Sequence, residues 1–356
     1  MATGCCKDLS RRKFLAGSAG AAVSGSVLAR AARAQDSAPA AGERPAIIDF
    51  HNHYVDPGIP LAPRPSSMPP AQRTYWEAVD RNLTDPDALL SSIESAGLAA
   101  RVVSTPPAMV APQSAELPLA TIRRINDALA EFAGRHRGRI HALATIDAFS
   151  GEAGAREVTR AVRELGLPGI FIESASGNML PDAPQARPTL AAAAALGVPV
   201  FIHPVNDPAL HPRLARYGRL GQQLSRGTIN AAALVALLEG GVFDELPNLR
   251  VVVTTLAIGG LMIAGGFGQG SRLRSDTPAM TRRHVYVDTM GLHPALMRSV
   301  VDLMGADHVL VGTDWPIFVE QDVPERLQAA FVHGGLGAAD QHAIARGNAM
   351  QLLRIA

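Results

Sequence analysis

The sequence predicts a single α/β domain over residues 46–356, built as a (β/α)8 TIM barrel. Three observations predict it. Eight short apolar runs alternate with stretches of helical period. The domain is long enough to bury one large core. No glycine-rich phosphate loop follows the first run, which weakens the alternative of a doubly wound open sheet.

The strands are expected, in order, at 46–51, 100–104, 140–146, 169–173, 198–203, 249–255, 284–289 and 308–312. Each is short, apolar and rich in Val or Ile, as strands buried on both faces must be. Helices are expected at 86–96, 119–135, 153–165, 187–196, 229–238 and 294–304, with two more at 323–332 and 338–353. Asp85 precedes Pro86-Asp87 and Asp322 precedes Val323-Pro324-Glu325, both in capping positions. Gly97, Gly166 and Gly197 follow helices and can stop them. Residues 54–83 form a proline-rich loop with Arg64, Arg73, Tyr75 and Trp76, read as a lid or substrate wall, or else as surface packing.

The first 34 residues read as an address. Arg11-Arg12-Lys13-Phe14-Leu15 leads into a weakly apolar Ala/Gly/Ser stretch and a small-x-small site at Ala32-Arg33-Ala34. This is the pattern of a twin-arginine export signal. The partner it implies is the twin-arginine export machinery, and the location is the periplasm or the exterior. The apolar stretch is short against the roughly 20 residues a membrane span needs, so no anchor is expected after cleavage. Residues 35–45 read as a flexible lead-in.

Cleavage would change the chemistry available. The chain totals +1 and the leader carries +5, so the mature chain would be near −4. No basic surface then points to nucleic acid. Cys5 and Cys6 leave with the leader, as do Lys7 and Lys13. The mature chain would hold no thiolate nucleophile, no disulfide and no lysine for a Schiff base or for a carboxylated bridge between two metals.

Barrel enzymes place their chemistry where strands end. His51 and His53 stand one residue apart at the end of the first run, a spacing that puts two side chains on one side of a strand. His203 ends the fifth run and Asp314 follows the eighth. Each alone would more often be a packing or loop residue. Together, three imidazoles and a carboxylate suit one divalent ion, zinc first, with manganese or iron as alternatives.

The motifs Ile48-Asp49-Phe50-His51-Asn52-His53, Phe201-Ile202-His203-Pro204, Pro247-Asn248-Leu249-Arg250-Val251, Tyr286-Val287-Asp288-Thr289 and Gly312-Thr313-Asp314-Trp315-Pro316 span nearly the whole domain. By them the chain resembles the amidohydrolase superfamily, in the amidohydrolase-related branch that includes aminocarboxymuconate semialdehyde decarboxylase. The resemblance implies that His51, His53, His203 and Asp314 bind one metal and that Asp314 also shuttles a proton. It implies a hydrolase, a nonoxidative decarboxylase or a hydratase acting on small, often aromatic or unsaturated, carboxylic acids.

One position departs from the family pattern. A catalytic histidine is expected where this chain has Thr255, in Val251-Val252-Val253-Thr254-Thr255. A threonine hydroxyl can orient water but cannot act as a base near neutral pH. Glu173 at the end of the fourth strand, or His293 after the seventh, could supply the missing group. His293 could equally be the first turn of a helix. Arg272 and Arg274 could hold a substrate carboxylate, or be solvated. Tyr75 and Trp76 could line the substrate site.

The function expected first is an exported, mononuclear metal-dependent hydrolase that uses metal-activated water on a small carboxylate-bearing or aromatic substrate. The alternative is a nonoxidative decarboxylase with the same metal site. A non-catalytic metal- or ligand-binding relative is the reading from another class. A homodimer is compatible with the sequence.

Overall fold

The computed structural model describes residues 46–355 apart from 65, 67, 113–115, 268–275, 291 and 320. The expected leader and lead-in, and also Arg272 and Arg274, lie outside the described residues. Nine parallel strand segments build the barrel: β1 (Ile48–His53), β2 (Ala100–Ser104), β3 (Ile140–Ala142), β4 (Ala144–Thr145), β5 (Ile170–Glu173), β6 (Val200–His203), β7 (Val251–Val253), β8 (Val285–Asp288) and β9 (Val309–Leu310). They form two ladders, β1-β2-β3 and β4 to β9 in order. The third expected strand is thus one stave in two pieces. Leu143 N–H still bonds Val103 O, while Ala144 N–H turns to Gly169 O, so the stave changes partner at Leu143.

The ring closes between the first and last staves. Phe50 N–H bonds Val311 O at 2.7 Å, Asp314 N–H bonds His51 O at 2.8 Å, and His53 N–H bonds Trp315 O at 2.7 Å. Parallel strands with both faces covered leave no room for polar alternation, and Val251-Val252-Val253 is buried throughout. Ile48, Phe50, Phe171, Phe201, Val252 and Leu310 pack into one cluster, while Ile47, Val103, Ile172 and Val253 belong to the larger core shared with the helices.

A β-bulge decides where the histidines point. Asp49 pairs with Arg101 and Asn52 with Val103, so three steps on β1 match two on β2. Strict alternation would send His51 and His53 to the face opposite Phe50. The extra residue resets the parity. His51 packs edge-on to Phe201 at 4.8 Å between ring centroids, on the same side as Phe50 at 5.9 Å from that ring.

Three helices keep the bounds expected from sequence: Leu119–Arg135, Arg187–Leu196 and Pro294–Met304. The helix expected at 229–238 is much longer, Gly218–Glu239. Its first half carries Arg219, Gln222, Gln223 and Arg226 and only Leu220 and Leu224 as large apolar residues, too weak an apolar stripe to reveal a helix in sequence. The helix expected at 338–353 is broken into Ala338–His342, a π-turn at Ala343–Gly347 and Asn348–Leu353. The expected lid at 54–83 contains a helix, Pro70–Leu83.

Asp85 caps as expected, its side chain accepting from Asp87 N–H at 2.9 Å and Ala88 N–H at 3.1 Å. Asp322 does not. It sits at φ 55° and its side chain accepts no helix N–H, because the left-handed backbone turns it away from the first turn. The Asp85→Ala variant is expected to lose about 1 kcal/mol in urea unfolding, with the midpoint displaced and the slope unchanged.

Candidate metal centre and active site

Three local devices place the four predicted ligands. The bulge turns His51 and His53 inward, and β6 carries His203 beside them. Asp314 follows Gly312-Thr313 with φ 62°, a left-handed conformation that non-glycine residues rarely adopt. The ring-closing bond from its N–H to His51 O holds it there. One ligand atom from each of His51, His53, His203 and Asp314 lies within 4.8 Å of the others. Their residues are 1 %, 0 %, 5 % and 8 % exposed.

The donor set fits a divalent metal. His51 Nε2, His53 Nε2 and Asp314 Oδ1 are buried without a hydrogen-bond partner, yet His53 Nε2 and Asp314 Oδ1 stand 3.1 Å apart. Buried polar atoms are normally satisfied, and three orphans converging on one point call for a cation. Their protonation agrees. Burial, then Arg226 and His53, hold His203 well below the usual imidazole range. Burial also lowers His53. Burial would raise the Asp314 carboxyl, but His51, His53 and Arg226 outweigh it and keep the group below its ordinary value. For His203, His53 and Asp314 these directions favour the neutral imidazole and ionised carboxylate that bind metal.

Asp288 stands at the end of β8, in the motif Tyr286-Val287-Asp288-Thr289. Its Oδ2 lies 2.6 Å from His51 Nδ1. That contact places a proton on Nδ1 and turns the Nε2 lone pair toward the centre. Burial would lower His51, but Asp314 and Asp288 together raise it. Replacing Asp288 by Asn is expected to weaken metal binding about 10- to 100-fold. A competition titration with a chelating dye reads this, and an unchanged affinity would contradict the role.

Thr255 stands under Asp288 and apart from the four ligands. Its N–H donates to Asp288 Oδ1 at 3.0 Å and its hydroxyl to Asp288 O. With His293 it lines a small separate cavity that also borders Asp288. The structure therefore does not bring Thr255 or His293 to the four ligands. Glu173 pairs in register with His203 at the strand ends. Burial pushes its carboxyl up to about 7, with Arg226 pulling it down. It is not among the residues lining the main cavity.

That cavity, about 420 Å³, opens over the four ligands. Tyr75 and Trp76 of helix Pro70–Leu83 line it as expected, with Met109 and Ile317. Helix Gly218–Glu239 also lines it and contributes Arg226. Its guanidinium Nη2 lies 3.3 Å from His203 Nε2. Burial lowers its pKa, while Asp314 and Glu173 favour its charge. Sequence reading missed Arg226 because the helix that carries it was not recognised there. The arginine spacing 219 and 226 was the available signal.

Comparison with known proteins follows the same outline. The chain is 28 % identical over 265 residues to a 2-amino-3-carboxymuconate-6-semialdehyde decarboxylase of Dictyostelium discoideum, covering 71 % of this chain and 72 % of that one. It is 28 % identical over 327 residues to a gamma-resorcylate decarboxylase of Rhodococcus jostii strain RHA1, covering 79 % and 92 %. The solved dihydroxybenzoic acid decarboxylase of Polaromonas sp. JS666, with bound manganese and the inhibitor 2-nitroresorcinol, superposes with a TM-score of 0.71 at 22 % identity, over 87 % of this chain and 97 % of that one. At that identity the match speaks for the barrel fold. The amidohydrolase family profile matches residues 48–355, and the chain belongs to that family.

Proposed function

We propose that this protein is a metal-dependent nonoxidative decarboxylase of a small aromatic or unsaturated acid. The observation that carries the reading is Arg226, a guanidinium on the cavity wall against His203 Nε2. A hydrolase needs room for water at that place. A carboxy-lyase needs a cation that receives and orients the carboxylate to be lost, and arginine does so with two parallel hydrogen bonds. The decarboxylase names of the relatives favour the same choice over hydrolysis, the function expected first from sequence.

In this reading His51, His53, His203 and Asp314 hold the ion. A bound divalent ion, manganese by analogy with the Polaromonas protein and zinc or iron otherwise, would stabilise negative charge on the substrate oxygens. Arg226 binds the departing carboxylate. Trp76 and Met109 face the apolar part of the acid and exclude water from it. Asp314, a carboxylate at rest, takes a proton from solvent and delivers it to the carbon that loses the carboxylate. The bonding pair of the broken carbon–carbon bond stays on that carbon, carbon dioxide leaves, and Asp314 returns to its carboxylate form. Thr255 holds Asp288, which in turn orients His51. Export through the twin-arginine route is a further part of the reading, carried by Arg11-Arg12 and the stretch behind them. Cell fractionation of the full chain against an Arg11→Lys, Arg12→Lys variant tests it.

The deciding measurement is product analysis with manganese-loaded protein, 2,6-dihydroxybenzoate and related acids in ¹⁸O water. Stoichiometric carbon dioxide with no ¹⁸O in the organic product is expected. Ester or lactone cleavage that incorporates ¹⁸O, without carbon dioxide, would overturn the reading in favour of a hydrolase.

A further inference from the structure

Helix Gly218–Glu239 begins inside out. Arg219, Gln222, Gln223 and Arg226 follow one another at helical spacings of three, one and three, and all four line the cavity. Residues at these positions share one face of a helix. Gln222, Gln223 and Arg226 are partly buried and Arg219 is exposed at the start of the helix, while Leu220 is 79 % exposed and Leu224 59 %, with Tyr217 just before them at 56 %. A helix held only by packing presents the reverse pattern. Withdrawing Gln222, Gln223 and Arg226 in part from bulk water costs free energy unless partners are found. The inward polar stripe is therefore not required for folding, and its natural partner is a polar ligand.

The two ends of the stripe differ. Arg226 lies at the metal centre, against His203. Arg219 lies at the cavity mouth, its guanidinium 5.2 Å from the Tyr75 ring and 4.2 Å from the Phe318 ring. Seven residues of helix separate their α-carbons by about 10 Å along the axis. Trp76, Met109 and Ile317 contribute apolar surface to the same cavity. A planar molecule would thus lie with one face on the apolar wall and one polar edge along the stripe.

We propose that the stripe from Arg226 to Arg219 reads the length and charge of the substrate, selecting an elongated planar acid with a second anionic group at the end far from the metal. The inference rests on the decarboxylase reading only in taking the near carboxylate to sit at Arg226 and the metal. Gln222 and Gln223 would contact hydrogen-bonding substituents between the two ends. Arg219, already stacked between Tyr75 and Phe318, is preorganised for the far group.

The test is calorimetric binding to manganese-loaded full-length protein, with naphthalene-2,6-dicarboxylate and 2-naphthoate as probes. The diacid is expected to bind about tenfold more tightly than the monoacid, the gain of one charge-assisted contact. Arg219→Gln should bring the two affinities within about twofold by weakening the diacid alone. Arg226→Gln should weaken both acids about equally. Equal affinity of the two acids for the unaltered protein, or an unchanged preference in Arg219→Gln, would overturn the proposal and leave the decarboxylase reading standing. If neither acid binds the metal-loaded protein, the acid-binding premise fails, and both readings fail with it.

Discussion

Asp314→Asn is expected to lower turnover about a thousandfold or more, within the range removed with a positioned proton donor. Asparagine keeps an oxygen at the Oδ1 position, beside His53 Nε2, but its amide can neither take up nor release a proton at neutral pH. The loss of the ionised ligand also weakens the metal, so the measurement needs saturating manganese and elemental analysis of the assayed sample. One equivalent of metal together with the collapsed rate isolates proton delivery. A metal-replete variant retaining more than about a tenth of the activity would contradict the role of Asp314. The fold should persist, because the backbone bond from residue 314 N–H to His51 O is untouched.

The second large effect lies beneath the centre. Arg101 and Asp49 are 1 % and 0 % exposed and form an ion pair through Arg101 Nη1. The guanidinium also bonds Asn52 Oδ1, and Thr313 Oγ1 at 3.1 Å, while Nε reaches Ser92 Oγ at 3.0 Å. Asp49 Oδ1 in turn accepts the N–H groups of His51 and Thr313. The pair thus ties the bulge of β1 to the loop bearing Asp314. Arg101→Met strands a buried carboxylate and is expected to cost about 3–5 kcal/mol.

The pH dependence of that loss has a definite sign. Burial already raises Asp49 above its ordinary value, with Arg101 the main opposing influence. Without Arg101 the folded carboxyl rises further. A folded-state pKa above the unfolded one means that the native state binds more protons, so stability falls as pH rises. The deficit of the variant should be smallest below about pH 4 and grow above it. Urea unfolding across that range measures it. The double variant Arg101→Met, Asp49→Asn should recover much of the loss by removing the stranded charge. A deficit that is flat with pH and unrelieved in the double variant would assign the cost to packing instead.

Much of the architecture was legible in the residues because parallel barrels impose simple demands. Each stave must be apolar on both faces, so 198–203 and 249–255 stand out without reference to neighbours. Leu119–Arg135 and Arg187–Leu196 carry a helical apolar period and clear stops. The four ligand residues were legible because they end such staves. Gly218–Thr228 was not, since its polar side faces a cavity and its apolar side faces solvent. Arg226 stayed hidden with it. The role of Asp288 was equally invisible, because a contact between residues 51 and 288 exists only after the ring closes.

The sequence alone determined the chemical inventory: three histidines and an aspartate at strand ends, no lysine or cysteine beyond residue 13, and a barrel to carry them. Those are properties of composition and period, and local physics suffices to read them. Only the tertiary structure decided where the groups point. The bulge in β1 turned the histidine pair inward, ring closure gave His51 its carboxylate partner, and an inverted helix set an arginine beside the centre. Thr255, at the position where the family pattern expects a catalytic histidine, bonds Asp288. Each of these depends on side chains brought together across long stretches of chain, and no local pattern encodes such a meeting.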